Sequence, residues 1–241
     1  VSTIAIVGAG PQLGFAVGAK FAEKGGFNVA LLARREAQLA AMVEKFRSVG
    51  VTAAAFAADV SDRPNLERAL AAAEEYFGSI DVLEYSPAPT LADLADRPLV
   101  SAVDLTVEAV LPQMETGFFG AIAAVRQVLP GMIERGAGTI IGTSGAGSGP
   151  MVVPQVASAN VANAAMRNWL LALNESVADQ GVHVAHVALG ARIGSGRPDS
   201  EADVIADLYW KAHVERDAAE VFHYDLPEGD EYGLADKFRV E

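Results

Sequence analysis

Ile4-Ala5-Ile6-Val7-Gly8-Ala9-Gly10-Pro11-Gln12-Leu13-Gly14 is the stretch whose reading decides the fold. The apolar run Ile4–Val7 fits a buried strand of a parallel sheet. It stops at Gly8, and Gly10 and Gly14 follow. From there Leu13, Ala16, Val17 and Phe21 fall on one helical stripe. Strand, glycine turn and helix together make the glycine pattern a nucleotide-site hypothesis rather than an ordinary turn. Glycines let the backbone bend tightly and approach a diphosphate, and a helix N-terminus offers it unpaired N–H groups and positive dipole.

Outward from this turn the chain alternates strand and helix. Phe27–Leu32 reads as a second buried strand after the stop at Gly25-Gly26, and it runs into Ala33-Arg34-Arg35. Nucleotide-binding units of this build place an acid about 20 residues past the glycine turn, on the ribose hydroxyls of NAD. Two arginines stand there instead, and forked cations suit a 2′-phosphate, so the pattern favours NADP over NAD. A helix over 36–49 and a strand over 51–57 follow. Asp59 and Val60 then lead to Ser61 or Asp62 as a helix cap. A helix over 64–77 precedes a strand ending in Glu84-Tyr85-Ser86-Pro87-Ala88. Residues 87–104, rich in Pro, Ala and Asp, read as a connection with room for a short turn of helix. A long helix over about 105–135 is interrupted in pattern by Pro112 and Pro130. Thr139-Ile140-Ile141 is strand five, and the glycine-rich segment 142–150 lacks the Lys-Ser/Thr ending of a P-loop. A second long helix covers about 156–180, strand six 182–189, a helix 201–214 and a last strand about 221–224, before a polar tail.

Strand plus helix recurs about every 30 residues. That period predicts an α/β fold: a Rossmann-like, doubly wound parallel sheet of about seven strands with helices on both faces, in one domain over 1–241. The 241 residues suffice for one large core. There are no cysteines, hence no disulfide or thiolate metal site, and four scattered histidines suggest no metal cluster. No stretch reads as a membrane span and no signal peptide is visible, so a cytoplasmic protein is expected. The net charge is −13; residues 199–241 carry 13 acids and 4 bases. An acidic chain argues against nucleic-acid binding.

Over nearly its full length the chain resembles the short-chain dehydrogenase/reductase family. The Gly8–Gly14 turn, Arg34-Arg35, Asp59-Val60, the glycine-rich segment after strand five and Gly190 stand in the family's order and spacing. Asp207-Leu208-Tyr209-Trp210, with His213 and Arg216, looks like the end of one divergent branch. The resemblance implies a cofactor held by Gly8, Gly10, Gln12, Leu13, Gly14, Arg34, Arg35, Asp59, Val60, Ser86, Pro87, Ala88, Asn163, Gly190 and Ile193. It also implies homodimers or homotetramers joined through the helices at 105–135 and 156–180.

The chain departs from the family at positions with distinct jobs. In the family pattern Thr-Gly-x3-Gly-x-Gly, Val7 replaces the Thr and Gln12 the middle glycine. The family's Asn-Asn-Ala-Gly is Tyr85-Ser86-Pro87-Ala88 here, which brings bulk and removes an N–H. The family's catalytic Asn, Ser and Tyr-x-x-x-Lys fall at Gly117, at or near Ser144, and at Ala159 and Asn163. No tyrosine lies between Tyr85 and Tyr209, and no lysine between Lys45 and Lys211, so no shift of alignment restores the pair. Losing a positioned acid removes roughly 10²–10⁴ in rate. Ser144, Asn163 and Tyr85 are the remaining catalytic candidates. Two functions are therefore expected as alternatives. One is an NADP-dependent oxidoreductase acting on a carbonyl or hydroxyl of an apolar small molecule with a non-standard catalytic set. The other is a protein of the same fold that has lost dehydrogenase activity, as a non-redox enzyme or a cofactor-binding or structural protein, with no cofactor as a further alternative.

Overall fold

A computed structural model describes residues 1–149 and 151–226; Pro150 and the tail from residue 227, including most of the expected polar end, lie outside the described residues. Seven strands form one sheet: β1 (Thr3–Val7), β2 (Asn28–Ala33), β3 (Ala53–Ala57), β4 (Val82–Tyr85), β5 (Gly138–Gly145), β6 (Val182–Ala191) and β7 (Glu220–Asp225). Their order is β3-β2-β1-β4-β5-β6-β7 and every pairing is parallel. The order reverses direction between β1 and β4, which opens a crevice at their carboxyl ends. β1 is central and all five of its residues are buried, as its unbroken apolar run requires.

The helices are α1 (Leu13–Gly25), α2 (Glu36–Ser48), α3 (Arg63–Phe77), α4 (Leu91–Asp96), α5 (Val107–Met114), α6 (Gly120–Arg135), α7 (Ala157–Val177) and α8 (Ala202–Glu215). One core layer joins the sheet to α3, α6 and α7 through residues such as Leu70, Val128 and Leu170. The other joins it to α1, α2 and α8 through Phe21, Phe46 and Tyr209. α8 is also clamped to α1 by charge. The buried Lys20 ammonium lies 3.1 Å from Asp203 and 3.3 Å from Asp207, and Lys24 lies 2.8 Å from Asp207.

The first expected long helix is not one uniform helix. Between α5 and α6 the backbone widens into a π turn, Glu115–Phe119. Pro112 in the turn before supplies no N–H, and the Thr116 hydroxyl bonds the Pro112 carbonyl at 3.1 Å, so the regular ladder is interrupted there. The expectation that no stretch could pass for a membrane span also needs correction. The continuous run Val107–Arg135, 29 residues with mean hydropathy 1.3, is long and apolar enough by length and composition. Its apolar side, with Ala121, Ala124, Val125, Val128 and Met132, is buried in the protein's own core.

A polar group sits inside the sheet. Glu84 on β4 has no exposed surface, and its carboxyl accepts hydrogen bonds from the Ser86 and Thr143 hydroxyls, each at 2.9 Å. The Thr143 hydroxyl is 2.9 Å from the Tyr209 hydroxyl of α8. Burial pushes the Glu84 pKa up to about 7 despite these bonds.

Two outcomes follow from these observations. The folded Glu84 holds a proton that the unfolded chain releases from about pH 4.5 upward, so its contribution to stability falls as pH rises from 4.5 to 7. Glu84→Gln lacks this titration, and its stability relative to wild type should improve by ~2 kcal/mol between pH 5 and pH 8 in urea melts. An unchanged difference across that range would show that Glu84 titrates at the same pH in the fold as in the unfolded chain. At the helix ends, Gly136 and Gly181 both have positive φ, 64° and 78°, but only a Cβ on Gly181 would meet backbone, 2.0 Å from the Gly136 carbonyl oxygen. Gly136→Ala should cost ~1–2 kcal/mol for the left-handed backbone alone, and Gly181→Ala distinctly more.

Candidate active-site cleft

At the crevice between the strand ends lies a cleft of about 350 Å³. Gly8 and Gly10 border it after β1, Arg34 and Arg35 after β2, Asp59 and Val60 after β3, and Pro87 and Ala88 after β4. Eight residues singled out in the sequence are thus brought to one place by four separate strand ends. Gly8 has φ +91°, and a Cβ on it would lie 2.5 Å from the Pro87 Cα and N, so only glycine lets β1 and β4 end side by side. Gly10 has the nearest atom to such a Cβ at 4.0 Å, which leaves its backbone approachable from the cleft. Beyond it α1 begins, and the first N–H groups of a helix have no intrahelical acceptor.

The remaining cofactor candidates stand apart from the lining. Gln12 is exposed at the start of α1, and its amide nitrogen packs against Gly194 of the loop after β6, where a Cβ would come within 2.6 Å. It therefore lies between the glycine turn and the loop at 190–200. Leu13 and Ile193 pack on the core layer of α1. Gly14 lies close under the turn, with a would-be Cβ 3.1 Å from the Ala9 Cα, and Gly190 is wedged between Tyr224 and Ala146. Ser86 turns its hydroxyl down to Glu84, while its N–H donates to the Val7 carbonyl at 2.9 Å.

The arginines differ. Arg34 forks onto Asp93 of α4, with contacts of 3.0 and 2.6 Å. Asp93 also closes a capping box with Thr90, and the Arg34 and Thr90 bonds hold its carboxyl well below the usual carboxylate range. Arg35 is exposed at the N-cap of α2, where its side chain makes no cap bond. Asp59 accepts the Ser61 N–H at 2.9 Å and hydroxyl at 2.7 Å, so it shapes the turn after β3. Sequence reasoning missed Gln38, Asp93, Arg97, Gln113 and Thr116 in the lining. For Asp93 a signal existed: Thr90-x-x-Asp93 is a helix-start pattern inside the stretch read as a connection.

The catalytic candidates are not gathered in the cleft. Tyr85 is 1% exposed, and its hydroxyl donates to the Thr116 carbonyl of the π turn at 2.5 Å. Burial raises its pKa far above that of a free phenol. Gly120 makes room for it, since a Cβ there would lie 2.4 Å from the phenol oxygen. The Ser144 hydroxyl points into a buried chain of polar groups. It bonds Ser148 at 2.8 Å and His186 Nε2 at 2.8 Å, His186 Nδ1 lies 3.2 Å from Glu220, and Arg167 forks onto Glu220 at 2.5 and 2.7 Å. Burial lowers the His186 pKa; against the burial penalty, Arg167 and His186 hold the Glu220 carboxylate below its usual value. The ring is then neutral at pH 7. With Nδ1 protonated it donates to Glu220 and accepts at Nε2.

Asn163 does meet its expected neighbour. A Cβ on Gly117 would lie 3.8 Å from the Asn163 Oδ1, and a Cβ on Gly145 3.8 Å from its Nδ2. Gly117, Gly145 and Asn163 thus converge without an ionisable side chain among them.

A family model described as short chain dehydrogenase matches residues 2–194. Among curated proteins, the chain is similar to an A-factor type gamma-butyrolactone 1′-reductase of Streptomyces virginiae, 28% identical over 233 residues, which cover 92% of this chain and 80% of that one. Among solved structures it is similar to a 3-ketoacyl-ACP reductase of Sinorhizobium meliloti, with TM-score 0.79, 20% identity and coverage of 92% and 97% of the two chains. A metagenomic short-chain oxidoreductase in complex with NADP has TM-score 0.76 and 20% identity, covering 94% of this chain and 97% of that one. With the parallel sheet, the glycine turn and the cleft at the strand ends, the match over most of the sequence establishes that the chain belongs to the short-chain dehydrogenase family.

Proposed function

We propose that the chain is an NADP-dependent oxidoreductase acting on a carbonyl or hydroxyl of an apolar small molecule through a non-standard catalytic set. The observation that carries the cofactor reading is the convergence of Gly8, the approachable Gly10 backbone and the Arg34-Arg35 pair on one cleft. The glycine turn would hold the diphosphate, Asp59 and Val60 the adenine end, and Arg35 a 2′-phosphate. When bound, the dinucleotide supplies or takes the hydride. Asn163 can orient a ribose hydroxyl by hydrogen bonding but carries no charge to lower a neighbouring pKa. Ser144 directly precedes Gly145 in the chain, and the His186 ring behind it can take its proton, with Glu220 orienting the ring and Arg167 holding Glu220. The loops at 87–104 and 190–200, beyond the strand ends, suit the walls of a substrate pocket. The same reading includes a cytoplasmic protein that forms a homodimer or homotetramer. Exposed Val107, Leu111 and Val161 on α5 and α7 favour that assembly.

A second reading, that dehydrogenase activity has been lost, is favoured by one observation. Gly117, Gly145 and Asn163 meet without an ionisable side chain, and the Tyr85 phenol is locked on a backbone carbonyl. Calorimetric titration with NADPH and NADH, followed by a carbonyl-reduction screen, separates the two. The first reading expects NADPH to bind about tenfold more tightly than NADH, with Arg35→Ala removing most of that preference. It also expects slow turnover that Ser144→Ala abolishes while the melting temperature stays measurable. Binding without turnover of any carbonyl supports the second reading. Absence of binding at millimolar concentration removes the oxidoreductase assignment.

A further inference from the structure

Arg34 and Arg35 stand side by side at the end of β2, yet their surroundings differ. The Arg34 guanidinium is engaged by Asp93, which comes from α4, 59 residues further along the chain. Both partners border the cleft. The pair is planar and two-pronged, the arrangement in which a guanidinium also grips a phosphate. Asp93 therefore occupies the fork that a 2′-phosphate would use.

The hold on Asp93 is built in. Its Oδ2 accepts the Thr90 N–H and hydroxyl, each at 2.8 Å, and its own N–H donates to the Thr90 hydroxyl at 3.2 Å. The carboxylate is thus held at the first turn of α4 and aimed at Arg34. Arg35 and Arg97 border the same cleft. Arg97 is the C-cap of α4, four residues after Asp93, so one short helix brings both a competing anion and a cation to the cleft.

We propose that Asp93 is a specificity-determining residue that competes with the cofactor's 2′-phosphate for Arg34 and so holds down the preference for NADP. This rests on the reading that the cleft takes a dinucleotide. The Arg34–Asp93 pair is partly exposed, 48% and 32% on its two side chains. Exposed pairs of this kind are weak. A phosphate carrying about two negative charges can therefore displace the carboxylate, at a cost of severalfold in affinity. NADH, without that phosphate, leaves the pair in place and escapes the competition.

The test is calorimetric titration of wild type, Asp93→Asn, Arg34→Ala and the double variant with NADPH and NADH. Asp93→Asn keeps the side chain's shape and an oxygen for the Thr90 cap, and far-ultraviolet circular dichroism with a thermal melt checks the fold. The expected result is a five- to tenfold gain in NADPH affinity for Asp93→Asn, a change of less than twofold for NADH, and no gain when Arg34 is also alanine. Wild type that binds NADPH with no gain in Asp93→Asn overturns the proposal and leaves the cofactor reading standing. Equal gains for both dinucleotides also overturn it, since the 2′-phosphate is then not what Asp93 senses. Failure of all four proteins to bind either dinucleotide overturns the cofactor reading and the proposal together. If Asp93→Asn is unstable, Arg34→Ala against wild type still decides. A competed Arg34 contributes little, so NADPH should weaken less than threefold, whereas a loss above tenfold shows an uncompeted cation and overturns the proposal.

Discussion

The structure depends on one close backbone approach. Gly8 ends β1 in a conformation with φ +91°, and the space a Cβ would take there is filled by Pro87 at the end of β4. The Gly8 and Ala9 N–H groups both donate to the Leu32 carbonyl of β2, at 2.9 and 3.0 Å. Three strand ends are therefore knotted together at a residue without a side chain. The crevice exists because β1 passes the chain to β2 on one side while β4 continues the sheet on the other. The cleft, the arginines after β2 and the turn after β3 are all positioned from that point.

The same constraint explains the unusual residues after β4. Pro87 gives no N–H, but the N–H of Ser86 has a partner in the Val7 carbonyl, so the strand pairing loses nothing at that position. Ser86 and Tyr85 then point to opposite faces, as neighbours on a strand must. Ser86 reaches down to Glu84, and Tyr85 crosses to the π turn, whose interrupted ladder leaves the Thr116 carbonyl able to accept its hydroxyl. Bulk that looks from the sequence as though it would crowd a cofactor is taken up by the layer of α6.

Polar groups are concentrated on β4, β5 and β6, where the apolar residues of the outer strands would be expected to continue. Glu84, Thr143 and Tyr209 form one cluster on the α8 face. Ser144, His186 and Glu220, with Arg167, form another on the α7 face. Each is hydrogen-bonded throughout its length, which is what makes buried polarity tolerable. These ionisable groups lie within the sheet layers, while Gly117, Gly145 and Asn163, which meet at the end of β5, present none.

What the amino-acid sequence determined by itself is the fold and the strand-end residues that line the cleft. Apolar runs of strand length, helical stripes and the Gly8–Gly14 turn are local signals, and parallel topology follows once strands alternate with helices. Arg34, Arg35 and Asp59 could be placed because they directly follow strands, and strand ends in such a sheet all point to one crevice. The absence of a tyrosine and a lysine from the second long helix was also legible, since it needs only an inventory. Only the tertiary structure decided which way Ser144, Tyr85 and Gln12 point, and that Asp93 reaches Arg34. Side-chain direction at a strand's end depends on a one-residue register. A pair 59 residues apart depends on how a short helix docks over the cleft, and neither is encoded in any local pattern.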